Sequence, residues 1–222
     1  MIKKENLSKK KNKAWNGLLK DHPCFIVGNG PSASNIPYHK ISNFFTIGIN
    51  KAYKLIDTNI LMWQDIEFWY TDRKEIVNKK SIKYCRDTAD PYKKFTNFKL
   101  VSGQFKMPEN NNTLYGTGAS GPLSFQLASI LGCNPIVFIG FDCCYKGGAT
   151  NFYGKNPFHK PHTLKNCQNG LFWINSFNKE KEIICCSENT VFENKKSIDE
   201  AIELCLKKNK PMGFDYYSKI LK

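Results

Sequence analysis

No apolar run in this 222-residue chain approaches the roughly 18 residues that a membrane-spanning helix needs, and no apolar segment follows the lysine-rich amino terminus. A soluble, intracellular, cytoplasmic protein is the expectation. Acidic residues are scarce, with 19 Asp and Glu against 33 Lys and Arg, for a formal charge of +14. Such a field attracts anionic substrates or polyanions. Most of it is lysine scattered among asparagines, which makes it a weak signal for nucleic acid. Metal-ligand spacing is missing too. The nine cysteines include no C-x-x-C pair, and Cys143-Cys144 and Cys185-Cys186 lie in or beside expected strands, so they read as packed free thiols. Histidine is limited to four residues, and His159 and His162 alone supply too few ligands for a metal.

The most informative stretch present is Cys24 to Ser34, an apolar run that breaks into Gly28-Asn29-Gly30-Pro31-Ser32. Cys24 to Val27 read as a buried strand. Gly28 and Gly30 permit a sharp turn and close approach to a ligand, Ser32 or Ser34 can cap a following helix, and that helix's free N–H groups favour a phosphate. The spacing Gly28-x-Gly30-x-x-Ala33 fits the dinucleotide fingerprint. However, the expected acidic residue about 20 positions on is missing, because the second strand, Phe44 to Ile49, ends at Asn50. An ordinary NAD site is therefore disfavoured, and Pro31 makes the turn rigid with fewer donors than a P-loop. A plain strand-to-helix turn without a ligand is the alternative.

The length suits one α/β domain with a sizeable core. Met1 to Lys13, around Lys9-Lys10-Lys11, reads as a basic flexible arm, and residues 211–222 as a tail. Ala14 to Leu19 adds a helical turn. Further strands are expected at Asn59 to Trp63, Ser81 to Cys85, Phe98 to Ser102, Ile136 to Ile139 and Glu182 to Cys186. Helices are expected at Ile66 to Val77, from the Gly118 region to Leu131, and at Ser197 to Leu206. Asn110 to Thr113 reads as a loop before a second glycine-rich helix start, Leu114 to Gly121. Asn50 could read a base or ribose, or cap the next helix. Gln64 and Asp65 end the third strand at the cleft, Asp65 as an acid or as an N-cap. Thr117 and Ser120 could bond a phosphate or sugar, or merely cap their helix. Cys143 to Asn169 is too long and polar for a simple connection, and with Tyr145, Tyr153, His159 and His162 it reads as an active-site lid.

Two separated blocks carry a resemblance. Phe25-Ile26-Val27-Gly28-Asn29-Gly30-Pro31-Ser32 is the first. The second runs Gly118-x-x-Gly121, Leu127-Ala128-x-x-Leu131-Gly132-x-x-x-Ile136, and ends at Gly140-Phe141-Asp142. Together they resemble the bacterial lipooligosaccharide sialyltransferases and the related archaeal-type 6-hydroxymethylpterin diphosphokinase superfamily, over roughly residues 24 to 190. The resemblance implies a single Rossmann-like α/β domain with a mostly parallel sheet, helices on both faces and a lid at about 143–169. It implies a glycosyltransferase that takes a nucleotide-activated sugar, requires no cofactor and acts on a glycan; the charge of +14 allows modified DNA as a second acceptor, and a homo-oligomer is left open. By the same match, Asn29 and Asn50 contact phosphate, ribose or base, Ser120 the donor, and Asp142 the ribose or cytidine. Gly28, Gly30, Pro31, Ser32, Gln64, Asp65, Thr117, Gly118 and Gly140 complete the donor site, and Asn189-Thr190 is the analogue of an Asn-Ser pair. Tyr145 and Tyr153 hold the phosphate, and His162 or His159 is the general base. The diphosphokinase branch would instead transfer pyrophosphate from ATP with Mg²⁺, for which Asp65 and Asp142 are the available ligands. A non-catalytic nucleotide- or nucleic-acid-binding module is the remaining alternative.

Overall fold

Short runs of β-branched and aromatic residues become the strands, and a run buried on both sides needs no polar alternation. The computed structural model describes residues 14–116, 118–143, 149–156, 163–187 and 189–222. Its strands are β1 (Cys24–Val27), β2 (Phe45–Ile49), β3 (Ile60–Trp63), β4 (Ile82–Arg86), β5 (Thr96–Ser102), β6 (Thr113–Gly116), β7 (Ile136–Ile139) and β8 (Ile183–Cys185). They form one parallel sheet in the order β6-β5-β4-β3-β2-β1-β7-β8. The helices are α1 (Ile66–Ile76), α2 (Ser120–Ile130), α3 (Thr163–Asn175), α4 (Ile198–Lys208) and α5 (Phe214–Leu221).

Alternation along the strands sends side chains to two cores. Cys24 and Ile26 of β1, with Ile47, Met62, Tyr84 and Phe138, face a layer that includes Leu123 and Leu127 of α2, Leu171 and Ile174 of α3, and Tyr217 of α5. Phe25, Val137 and Ile184 face α4 through Ala201 and Cys205, and Leu61 and Trp63 face α1 through Phe68 and Trp69. The result is a Rossmann-like α/β domain with helices on both faces. Among the described residues no helix is long and apolar enough to cross a membrane.

Several connections differ from the sequence expectation. Between β1 and β2 there is no α-helix, only the 3₁₀ turns Pro31–Asn35 and Tyr38–Lys40. Ser32 and Ser34 cap neither, since Gly30 holds the N-cap position without a side-chain bond. Residues 113–116 are a strand rather than the start of a helix. The N–H and C=O of Tyr115 are both taken by the side-chain amide of Gln126, donor to acceptor at 2.8 and 2.5 Å, which closes the sheet's edge. The carboxyl-terminal part of the expected lid is α3. The expected tail contains α5, whose Tyr217 and Leu221 are buried one helical turn apart. Trp15, expected in a minor helical turn, is buried and donates its indole N–H to the Leu221 carbonyl at 3.2 Å. The basic arm 1–13 lies outside the described residues.

Candidate functional site

The strand order reverses direction at β1, because β2 lies on one side of it and β7 on the other. In an open parallel sheet the crevice beyond the strands' carboxyl ends at such a point is where ligands bind. Here two loops meet, Gly28-Asn29-Gly30 after β1 and Gly140-Phe141-Asp142 after β7. The amide of Gly28 donates to Ile139 O and that of Gly30 to Gly140 O, each at 2.8 Å. The glycines are needed for this loop-to-loop contact. A Cβ on Gly28 would lie 2.7 Å from Gly140 O, and one on Gly30 would lie 2.1 Å from Asp142 Oδ2. Gly140 itself has φ of +72°, and a Cβ there would meet Ala33 at 2.8 Å. The sequence reading assigned the glycines to close approach by a ligand; the structure shows the neighbouring loop close to them as well.

A side-chain clasp locks the two loops. Asp142, buried, accepts from the Ser32 amide at 3.1 Å and the Ser32 hydroxyl at 2.9 Å through the same oxygen, Oδ2. The Ser32 and Ser187 hydroxyls are 3.1 Å apart, and Ser187 accepts the Phe141 N–H at 3.0 Å. Ser187 was not singled out from the sequence. Attention fell on Asn189 and Thr190 just beyond it, which lie at the carboxyl end of β8, Asn189 exposed and Thr190 half-buried. The only signal for Ser187 was its place at a strand end.

Beside the clasp, Asn29 donates its side-chain amide to Ile49 O at 2.9 Å, bridging the ends of β1 and β2. Its Oδ1 is buried and has no hydrogen-bond partner among the described residues, and the same is true of Oδ1 of Asn50, the residue after β2. Two buried acceptors without donors among the described residues therefore sit after the neighbouring strands β1 and β2, next to the crevice, where each costs free energy unless a ligand supplies an N–H or O–H. One strand further, Gln64 donates its amide to Gly118 O and to the Ser120 hydroxyl, the latter at 3.1 Å, which fixes the head of α2 against the end of β3. Ala119, not Ser120, is the N-cap position of α2.

Residues 149–156, from the segment expected as a lid, reach this crevice. Phe152 N–H donates to Asn29 O at 2.8 Å, and the Tyr153 ring lies under the Lys51 ammonium, 5.1 Å from its centroid. Lys51 in turn stands 3.5 Å from Asp72 Oδ1, which also accepts the Tyr53 hydroxyl at 2.8 Å. Burial, followed by the Asp72 charge, pushes the Tyr153 phenol up to about 12, so it is neutral and able to donate at neutral pH. Asp65 occupies the N-cap position of α1 but makes no capping bond. Although its side chain is exposed, the protein crowded around it, with Glu67, raises its carboxyl above the usual range, and Arg86 opposes the shift. Asp65 and Asp142 follow β3 and β7, which are three strand positions apart in the sheet. Among the described residues no group of three metal-ligating side chains forms. Thr117, Tyr145, His159 and His162 lie outside the described residues. A surface depression of about 500 Å³, lined in part by Asn134, Lys179, Glu182 and Lys208, is at the opposite, amino ends of β7 and β8 and holds none of these residues.

No family model matches the chain, and no curated protein does. Solved structures do. The sialyltransferase CstII from Campylobacter jejuni in complex with a substrate analogue, cytidine-5'-monophosphate, is 16% identical, with 78% of this chain and 82% of that chain covered at a TM-score of 0.49. The same enzyme with CMP-3FNeuAc gives 16% identity, 77% and 83% coverage, and a TM-score of 0.47. Its complex with a trisaccharide acceptor and CMP gives 16%, 76% and 82%, and 0.45.

Proposed function

We propose that the protein is a glycosyltransferase, moving a sugar from a nucleotide-activated donor to a hydroxyl of a glycan acceptor. The observation that carries this reading is the pair of partnerless buried oxygens, Asn29 Oδ1 and Asn50 Oδ1, at the switch point of the sheet. An ionised phosphate has no hydrogen to offer them. Ribose hydroxyls and the exocyclic amine of a base do, so the pair calls for a nucleoside. The resemblance of the two glycine-containing blocks to lipooligosaccharide sialyltransferases supports the same class.

In this reading the ribose and base occupy the β1/β2 end of the crevice. The donor phosphate faces the Lys51 ammonium and the neutral Tyr153 hydroxyl. The Gln64–Ser120 pair holds the transferred sugar. The acceptor hydroxyl gives its proton to His162 or His159 as its oxygen bonds to the sugar carbon. The carbon–phosphate oxygen bond breaks, and the nucleotide leaves with the electron pair, steadied by Lys51 and Tyr153. No cofactor takes part.

The test is a thermal-shift panel of CMP, UDP, GDP, ADP and ATP, each with and without Mg²⁺. A ligand at about 100 times its Kd adds roughly 2.7 kcal/mol, equivalent to about 5–10 °C for a chain of this size. Stabilisation by CMP or a nucleoside diphosphate without metal is the expected result. A response confined to ATP with Mg²⁺ would transfer the assignment to the diphosphokinase reaction, and no response from any nucleotide would overturn the reading.

A further inference from the structure

Arg86 is the last residue of β4 and has no role in the mechanism above. Trp63 pairs with Cys85, so Gln64 and Arg86 follow as neighbours at the ends of β3 and β4. Arg86 shares the sheet face of Ile82 and Tyr84, the face on which α2 lies, and Gln64 shares it too, since Ile60 and Met62 belong to the same core. Arg86 is therefore the residue next to Gln64 across the strand ends, on the side of the Gln64–Ser120 pair away from the nucleotide end. Two strand spacings, about 10 Å, separate β4 from β2, the nearer strand of the nucleotide end.

Arg86 Nε is buried and has no hydrogen-bond partner among the described residues. The side chain forms no ion pair among the described residues, although Asp65 lies close enough to feel its charge and Asp87 follows it in sequence. The first turn of α2 offers no acid either. A desolvated guanidinium N–H left open is costly, and the planar fork of Nε and a terminal nitrogen matches two oxygens of one anion.

We propose that Arg86 is a specificity-determining residue that binds a carboxylate or phosphate carried by the acceptor sugar, so that the acceptor is an acidic rather than a neutral glycan. This rests on the transferase reading. The position, on the far side of the Gln64–Ser120 pair from the nucleotide end, assigns the anion to the acceptor rather than to the donor phosphate. Filling the fork completes the open Nε donor and neutralises a charge that the fold leaves unpaired. A neutral glycan would leave both as they are.

The test measures binding in the presence of saturating CMP. The probes are an oligosaccharide ending in a carboxylated sugar, the same oligosaccharide with that carboxyl reduced to an alcohol, and its phosphorylated neutral parent. The wild-type protein should bind a charged form about 10- to 100-fold more tightly than the reduced one, the scale of one charge-assisted bidentate pair. The carboxylated and phosphorylated arms identify which anion it is. Arg86→Gln should abolish the preference and Arg86→Lys retain part of it, each with CMP affinity within twofold of wild type, which reports an intact fold. A preference that survives Arg86→Gln, or a wild-type protein that binds all three forms alike, would overturn the proposal while leaving the transferase reading in place. Failure of the wild-type protein to bind any nucleotide overturns both. Should Arg86→Gln not fold, the wild-type comparison and Arg86→Lys decide alone.

Discussion

Asn50 combines a backbone φ of +48° with a buried Oδ1 that has no partner, two features that each cost stability. Asparagine tolerates the left-handed region better than most residues, which accounts for the backbone. The orphan oxygen needs another account, and a ligand provides one. Asn50→Gly separates the two. Glycine keeps the left-handed backbone without strain and deletes the unpaired acceptor, so its entropic cost is offset by the desolvation no longer incurred. The unfolding free energy from urea denaturation should change by no more than about 1 kcal/mol, whereas nucleotide affinity should fall about 10-fold in titration calorimetry. Loss of stability with unchanged affinity would make Asn50 a structural turn residue. Both asparagines were legible in the sequence from their places at strand ends. Their open oxygens were not, because what leaves Asn29 Oδ1 unbonded is the bond from its own amide to Ile49 O, a contact 20 residues away that no local pattern encodes. Asp142 shows the reverse. It was read as a ligand contact, and the structure adds a role the sequence did not show, its Oδ2 holding Ser32.

Elements formed by apolar runs could be read almost to the residue, as with β1 and β7, because a strand buried on both faces has a continuous hydrophobic signature. Those that depend on distant contacts could not. α3 buries only Gly170, Leu171 and Ile174, and its approach to α2 is so close that a Cβ on Gly170 would lie 2.3 Å from Pro122. Its sequence therefore looks like a polar loop. α5 was hidden by its place among Lys, Pro and Gly at the chain's end, although it carries the core residue Tyr217. The docking of α5 also creates a pH dependence. His22 meets the Tyr217 ring edge-on, and burial lowers the imidazole below its ordinary value of 6.5 despite the Asp21 charge. Between the folded and unfolded values the unfolded chain binds more protons. Stability therefore falls as pH drops through 6.5 and stops falling once the folded imidazole titrates. Asp65, with its carboxyl raised, acts in the opposite sense at lower pH, from 3.8 upward, so a difference between two proteins is the clean measurement. The fall in urea midpoint from pH 7.5 to pH 5.5 should be smaller in His22→Gln than in wild type. Equal falls in the two would show that His22 is not the responsible group.

The whole molecule carries a formal charge of +14, and its described ion pairs are few: Lys40–Asp199, Lys51–Asp72, Lys54–Glu75, Lys79–Asp57, Lys207–Glu203 and Lys208–Glu182. This excess was evident from composition. What composition could not give was its relation to the site, where Lys51 is paired through Asp72 and Arg86 is not. Salt should act on the two levels with opposite sign. Self-repulsion among 33 basic side chains opposes the compact state, and screening it favours folding, whereas exposed ion pairs lost to the same screening contribute only about 0–1 kcal/mol each. Raising NaCl from 50 mM to 500 mM shortens the Debye length from roughly 14 Å to about 4 Å, which silences repulsion between lysines on different elements while sparing contacts at hydrogen-bond distance. The melting temperature of the free protein should therefore rise across that range. Affinity for an anionic nucleotide should fall over the same range, because the long-range attraction is screened together with the repulsion. A melting temperature that fell with salt would mean that the surface pairs outweigh the net charge, and the basic excess would then have no cost for the fold to bear.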